Sequence, residues 1–227
     1  MKINWNQLFA IFFILISACN SNTKQEEETS GKKIDQEVTE KEEEKNNIIF
    51  FGNSLTAGYG VEADEAFPGL IQKNLDSLGY DYNVINAGVS GETTASGLSR
   101  VEWVVKRQPV EIFILELGGN DGLRGIKPEE TNKNLRAIID KVKEIHPVVK
   151  ILLAGMMVPP NMGQAYAEEF RKVFPEIAKD KNVNLIPFLL KDVGGEAELN
   201  QPDGIHPTPK GHKIVAETVW THLESLL

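Results

Sequence analysis

Four apolar residues in succession, Ile48-Ile49-Phe50-Phe51, run into Gly52, and behind that glycine stand Asn53, Ser54, Gly58 and Gly60. A β-type run without polar alternation is a strand covered on both faces, which places it in a parallel sheet between layers of helix. From Asn47 onward the chain keeps alternating apolar runs with amphipathic stretches. The spacing predicts a helix over 67–78, with Leu70, Ile71, Leu75 and Leu78 on one face and Gly79 as its stop. A strand over 82–86 and a helix over 93–107, ended by Pro109, come next. The run 110–117 is nearly all apolar and therefore central; Glu116 within it is either salt-bridged or at the mouth of a site. Pro128 and Glu129 open a helix that runs to about Ile145. A strand over 148–154, a helix over 166–179 with a bend near Pro175, a short strand over 183–187 and a closing helix over 209–226 complete the series.

This βαβ alternation predicts an α/β protein with a three-layer, flavodoxin-like fold: a five-stranded parallel sheet, order 2-1-3-4-5, flanked by helices. Ligands of such sheets sit beyond the carboxyl ends of the strands, where Ser54 falls. Taken alone, Ser54 also fits a turn serine that caps the next helix. A serine hydroxyl becomes a useful nucleophile only with a base in hydrogen-bond reach and a group that orients the base. Pro202-Asp203-Gly204-Ile205-His206-Pro207, just before the closing helix, holds both types. The spacing suits a short loop in which the Asp203 carboxylate folds back onto the His206 ring; an Asx-turn aspartate and a solvent-facing histidine are the plainer alternative.

Two further strand ends carry polar blocks, Asn86-Ala87-Gly88-Val89-Ser90-Gly91-Glu92 and Glu116-Leu117-Gly118-Gly119-Asn120-Asp121-Gly122. Acyl transfer needs donors aimed at the oxyanion of a tetrahedral intermediate. The Ser54 N–H, the Gly91 N–H and the Asn120 side-chain amide could supply three. Asp121 is either a supporting group beside Asn120 or a turn aspartate. The four blocks together resemble the SGNH, or GDSL, hydrolase family, whose name records Ser, Gly, Asn and His: here Ser54, Gly91, Asn120 and His206. The resemblance runs from about Asn47 to the C-terminus. Through Glu116–Gly125 it is above all to the bacterial arylesterase and thioesterase–lysophospholipase branch. One position departs: the family's usual aspartate before the serine is Asn53 here, which bears on local hydrogen bonding and rate, not on the nucleophile.

The resemblance implies a serine esterase acting on carboxylic esters or thioesters (aryl and acyl esters, lysophospholipids) through Ser54, His206 and Asp203 and an acyl-enzyme, with no cofactor. A carbohydrate acetylesterase on the same fold and a non-catalytic ligand-binding lipoprotein are the alternatives. Met156, Met157, Val158 and Pro159 follow the fourth strand and are either an acyl-binding border of the site or core filler, since methionine fits irregular apolar space. Gly122–Lys127 reads as a mobile lip. His146 reads as a helix C-cap, and His212 and His222 as packing or surface residues. No Gly-x-Ser-x-Gly elbow, phosphate-binding glycine loop or metal-ligand spacing occurs in the sequence.

The first residues read as a targeting segment: Lys2, then the apolar core Leu8–Ile16, then Ile16-Ser17-Ala18-Cys19, which resembles a bacterial lipobox. Residues 1–18 are expected to be a lipoprotein signal peptide, with Cys19 lipidated. Cys19 is the single cysteine, so no internal disulfide forms. Residues 19–46, with nine acidic and five basic side chains and few large apolar ones, are expected to be a disordered tether, a solvated charged helix being the alternative. Its Lys24-Gln25-Glu26-Glu27-Glu28 run resembles lipoprotein surface-export signals. The hydrolase domain is then 47–227, exported and held by its lipid anchor at the bacterial cell envelope, facing the periplasm or the cell surface. The chain carries a net charge of −9 and stays mildly acidic from Asn47 onward, which argues against nucleic acid or anionic lipid headgroups as main partners.

Overall fold

The computed structural model describes residues 46–227. The signal peptide, the lipidated Cys19 and the acidic tether read from the sequence lie outside the described residues, apart from Asn46, which belongs to the first strand rather than to the tether.

Five strands, β1 (Asn46–Gly52), β2 (Tyr82–Gly88), β3 (Ile112–Glu116), β4 (Lys150–Ala154) and β5 (Asn184–Ile186), form one parallel sheet in the order β2-β1-β3-β4-β5. The two runs with least polarity lie in the interior of the sheet, as burial on both faces requires: Ile48–Phe51 and Ile112–Leu115 are sealed from solvent. Each such side chain contributes about 1.5–3 kcal/mol on removal from water.

Crossovers between parallel strands are right-handed. The step from β1 back to β2 therefore puts its helix, α2 (Phe67–Ser77), on one face. The steps onward to β3, β4 and β5 put α3 (Thr94–Val105), α5 (Pro128–Ile145) and α6 (Gln164–Lys181) on the other. Contacts follow this division: α3, α5 and α6 pack in a row, while α2 packs against the closing helix α7 (Pro209–Leu223). Capping hydroxyls start two of these helices, Thr93 accepting from Ser96 N and Thr208 from Gly211 N. His146 does stand at the C-cap of α5, and its Nε2 meets Val105 O at 2.8 Å.

Several boundaries differ from the sequence reading. β3 and β4 each start two residues later than expected; ahead of β4, Val148, apolar by type, is exposed and unpaired. Helix α6 continues through Pro175, which lies on its solvent side, where water can satisfy the carbonyl that the missing N–H releases. Two single-turn helices, α1 (Ser54–Ala57) and α4 (Gly119–Leu123), occupy stretches read as loops. Among the described residues no helix is long and apolar enough to cross a membrane.

Candidate active site

The strand order reverses between β1 and β3, and the crevice beyond their carboxyl ends is the place where open α/β sheets bind ligands. Four segments converge on it. The turn after β1 brings Ser54, the turn after β2 brings Gly91, α4 after β3 brings Asn120, and the segment before α7 brings Asp203 and His206.

Gly52 makes the first turn possible, because a Cβ there would run into the Thr56 hydroxyl and the Glu116 carboxylate. Asn53 then caps α1, its Oδ1 accepting from Leu55 N at 2.9 Å, so Ser54 is the first helical residue rather than the cap. The Ser54 Oγ lies 2.9 Å from His206 Nε2, and His206 Nδ1 lies 2.7 Å from Asp203 Oδ2. Asp203 Oδ1 also accepts from the backbone N–H groups of His206 (3.0 Å) and Ile205 (2.8 Å). The His206 N–H, its ring and the Ile205 N–H together hold the Asp203 carboxyl down to about 2. An ionised Asp203 fixes the proton of the ring on Nδ1 and leaves Nε2 as the acceptor facing Ser54. The serine hydroxyl has a second acceptor, Asn53 Oδ1 at 3.4 Å, but the histidine contact is 0.5 Å shorter. Tyr59 lies against the His206 ring with centroids 4.6 Å apart, and Gln201 Nε2 joins the two loops by donating to Tyr59 O (2.7 Å) and Pro207 O (3.0 Å).

Ser54 N–H stands in the first turn of α1, where an intrahelical acceptor does not exist, and Gly91 N–H sits in a turn at φ 79° that favours glycine. Among the described residues neither N–H has a partner. The Asn120 amide donates to Glu92 O at 2.9 Å, which orients it and leaves its second N–H free. Glu92 is buried and gripped at both oxygens by Arg100, whose guanidinium also donates to Ala87 O (2.8 Å) and lies 4.0 Å over the Phe51 ring. Asp121 is no turn aspartate: it is buried and takes hydrogen bonds from the N–H and hydroxyl of Thr94, tying α4 to α3.

Glu116 is neither salt-bridged nor at the mouth of the site. It is 1% exposed beneath the serine turn. Its carboxylate accepts from Asn53 Nδ2 (2.7 Å), Asn53 N (3.0 Å) and Thr56 Oγ1 (2.8 Å). Burial raises it to about 7 against the pull of these three donors.

The stretch after β4 divides. Met156 is buried and reaches toward Gly119, Val158 is half-buried over Gly122, and Met157 and Pro159 are exposed. The segment Gly122–Lys127 is less free than a lip would be, since Arg124 donates to Gly91 O at 2.9 Å and Tyr166 to Ile126 O at 2.7 Å. His212 is a packing residue, stacked on Phe67, its Nδ1 accepting from Phe67 N at 3.2 Å. His222 meets Thr218 O at 2.9 Å within its own helix. Among the described residues no group of histidines, cysteines and carboxylates could hold a metal ion. Sequence reasoning missed the contacts of Tyr59, Gln201, Arg100 and Arg124 altogether; Glu116 was visible only as a charge in an apolar strand.

Comparison with known proteins gives the family. Residues 50–214 match the GDSL-like Lipase/Acylhydrolase family. The chain belongs to that family. It is 39% identical to the esterase TesA of Pseudomonas aeruginosa over 176 residues, 78% of this chain and 87% of that one. It is 36% identical to the thioesterase 1/protease 1/lysophospholipase L1 of Escherichia coli K12, covering 78% and 82%. A crystal structure of TesA superposes with a TM-score of 0.77 at 37% identity, covering 80% of this chain and 100% of that one. As a GDSL-type acylhydrolase the chain is an enzyme, a hydrolase of the esterase type, and its reading as a non-catalytic binding lipoprotein is dropped.

Proposed function

We propose that this GDSL-family chain hydrolyses carboxylic esters or thioesters through an acyl-enzyme on Ser54. The observation that carries the reading is the unbroken relay from Ser54 Oγ to His206 to Asp203, at 2.9 and 2.7 Å. His206 takes the serine proton as Ser54 attacks the carbonyl and returns it to the departing alcohol or thiol, while Asp203 orients the ring and stabilises its charged form. The developing oxyanion is met by Ser54 N–H, Gly91 N–H and the second N–H of Asn120. His206 then activates the water that clears the acyl group from Ser54.

The substrate class is an acyl or aryl ester, an acyl thioester or a lysophospholipid, following what the relatives are named for. Exposed apolar side chains support an acyl-binding border: Tyr59 lies against the His206 ring, Ile205 is next to it in sequence, and Met157 is exposed in the stretch after β4. They favour an acyl chain over a sugar, so the carbohydrate acetylesterase reading ranks second. Turnover of p-nitrophenyl acetate, butyrate, octanoate and dodecanoate tests both readings. A rise in kcat/KM toward the longer chains supports the acyl reading; activity confined to acetate moves the substrate to the sugar class.

Export and anchoring complete the proposal. Ile16-Ser17-Ala18-Cys19 supports cleavage before Cys19 and lipidation there, so that one protein carries its esterase on a membrane-tethered stalk. Intact mass of the envelope-extracted protein reads this directly: a lipid-modified N-terminal Cys19 is expected, and an unmodified cysteine ends the anchor.

A further inference from the structure

Glu116 is a carboxylate buried behind the nucleophile and unused by the chemistry proposed above. Among the described residues it makes no hydrogen bond to Ser54 or His206. Its three hydrogen bonds all go to the turn that carries the serine, two to Asn53 on its N-terminal side and one to Thr56 two residues beyond it. The donors come from both the backbone and the side chain of Asn53, so the carboxylate fixes the peptide and the rotamer together. Asn53 Oδ1 in turn caps α1 at Leu55 N, leaving its amide nitrogen for Glu116. Gly119 leaves room here, since a Cβ at that position would crowd the Met156 methyl and approach the Asn53 amide.

We propose that Glu116 is the positioning residue of the nucleophile and Asn53 its matched partner, the amide giving the buried carboxylate a donor that an aspartate at the same place could give only while protonated. The inference rests on Ser54 being the nucleophile. A clamped turn holds the Ser54 Oγ at its hydrogen bond with His206 and its N–H toward the oxyanion, and small displacements of a reacting group carry large rate penalties.

The surroundings make the pair testable by pH. Among the described residues no ion pair reaches Glu116. The charged or titratable groups in contact with the turn are Arg100 of α3, whose guanidinium lies 3.5 Å from Gly52 O with its charge met by Glu92, and His206, which meets Ser54. An Asn53→Asp exchange sets two carboxyl groups at the present 2.7 Å amide contact, and such a pair holds one shared proton. Loss of that proton drives the turn apart.

Asn53→Asp, Glu116→Gln, the double exchange and Ser54→Ala are compared in kcat, KM and thermal midpoint from pH 5.5 to 9.5, with p-nitrophenyl butyrate. Asn53→Asp is expected to acquire an alkaline limb in kcat/KM that the wild type lacks. Glu116→Gln, which turns an amide donor toward another donor, is expected to lose roughly 10- to 100-fold in kcat with KM little changed. The double exchange swaps amide and carboxylate between the two positions and so restores complementary donors and acceptors. The amide introduced on β3 donates to the carboxylate introduced in the turn, and its oxygen accepts from the turn's backbone N–H and from the Thr56 hydroxyl. This variant is expected to recover kcat and to lose the alkaline limb. An Asn53→Asp profile superimposable on the wild type, or a double exchange no better than the single ones, overturns the proposal while an inactive Ser54→Ala leaves the nucleophile in place. An active Ser54→Ala overturns both.

Discussion

The Asn120 side-chain amide donates to the Glu92 carbonyl at 2.9 Å, and the Glu92 carboxylate is held at both oxygens by Arg100. One side chain of the expected oxyanion hole is thus aimed by the backbone of the loop that carries another, Gly91. A charge-assisted, largely buried contact anchors that loop to α3.

A donor placed for the tetrahedral oxygen lowers the barrier more than it tightens substrate binding. Asn120→Ala should therefore reduce kcat by roughly 10²–10³-fold with KM little changed. Asn120→Asp should do at least as badly, because a carboxylate repels the growing charge. Thermal midpoint and kcat measured on one preparation check this. A lowered midpoint with kcat intact would assign Asn120 to the scaffold.

Asp203 is held near 2 by the His206 N–H, the His206 ring and the Ile205 N–H, so it is ionised across the working range of an esterase. Its folded value is depressed below the free one. The stability it contributes is present above about pH 4 and is lost as pH falls toward 2. Asp203→Asn should free the ring to turn and leave the wrong tautomer facing Ser54, cutting kcat by about 10⁴-fold. The acidic limb of the wild-type rate profile should not belong to Asp203. Single-turnover rates of both proteins between pH 5 and 8 check both statements.

His212 gives the fold its own response to acid. It is almost sealed between α7 and Phe67, and burial, with a smaller push from the charge on His206, brings it down to about 4. A histidine with a depressed folded value binds a proton more readily when unfolded. Its contribution is complete above about pH 6.5 and is lost as pH falls through that value toward 4. Glu116, raised to about 7, acts in the opposite sense, losing stability as pH rises from about 4.5 to 7. The comparison must therefore be made between variants. His212→Gln, which keeps an acceptor for Phe67 N, should lose roughly 1–3 kcal/mol less than the wild type on going from pH 7 to pH 4.5. Urea midpoints at the two pH values check it.

The strand order was legible because the apolar runs are short, evenly separated by amphipathic stretches and least polar where the sheet is deepest, as at Ile48–Phe51 and Ile112–Leu115. The site blocks were legible because each stands directly after an apolar run or just before a helix. The alternation itself predicts where strand ends go. What escaped was long-range or too short to have a period. A four-residue helix at Ser54 cannot show helical periodicity, and its existence depends on Asn53 as a cap. The Tyr59–His206 and Gln201–Tyr59 contacts join positions more than a hundred residues apart and leave no local mark. Glu116 stood out as a charge in an apolar strand, yet its three donors, two on Asn53 and one on Thr56, could be assigned only once β1 and β3 were paired at Gly52 and Glu116.

The central claim is that Ser54, activated by His206, is the atom that accepts the acyl group. Ethyl p-nitrophenyl methylphosphonate tests it most directly, because attack by an activated serine forms a P–O bond and expels p-nitrophenolate, leaving a stable phosphonyl ester. The expected result is one adduct per chain by intact mass, mapped to Ser54 by peptide analysis, formed in step with loss of esterase activity and absent from Ser54→Ala. Adduct formation should slow by several orders of magnitude in His206→Ala. Complete inactivation with the label on another residue, or ester turnover that persists at full rate with Ser54 labelled, would contradict it.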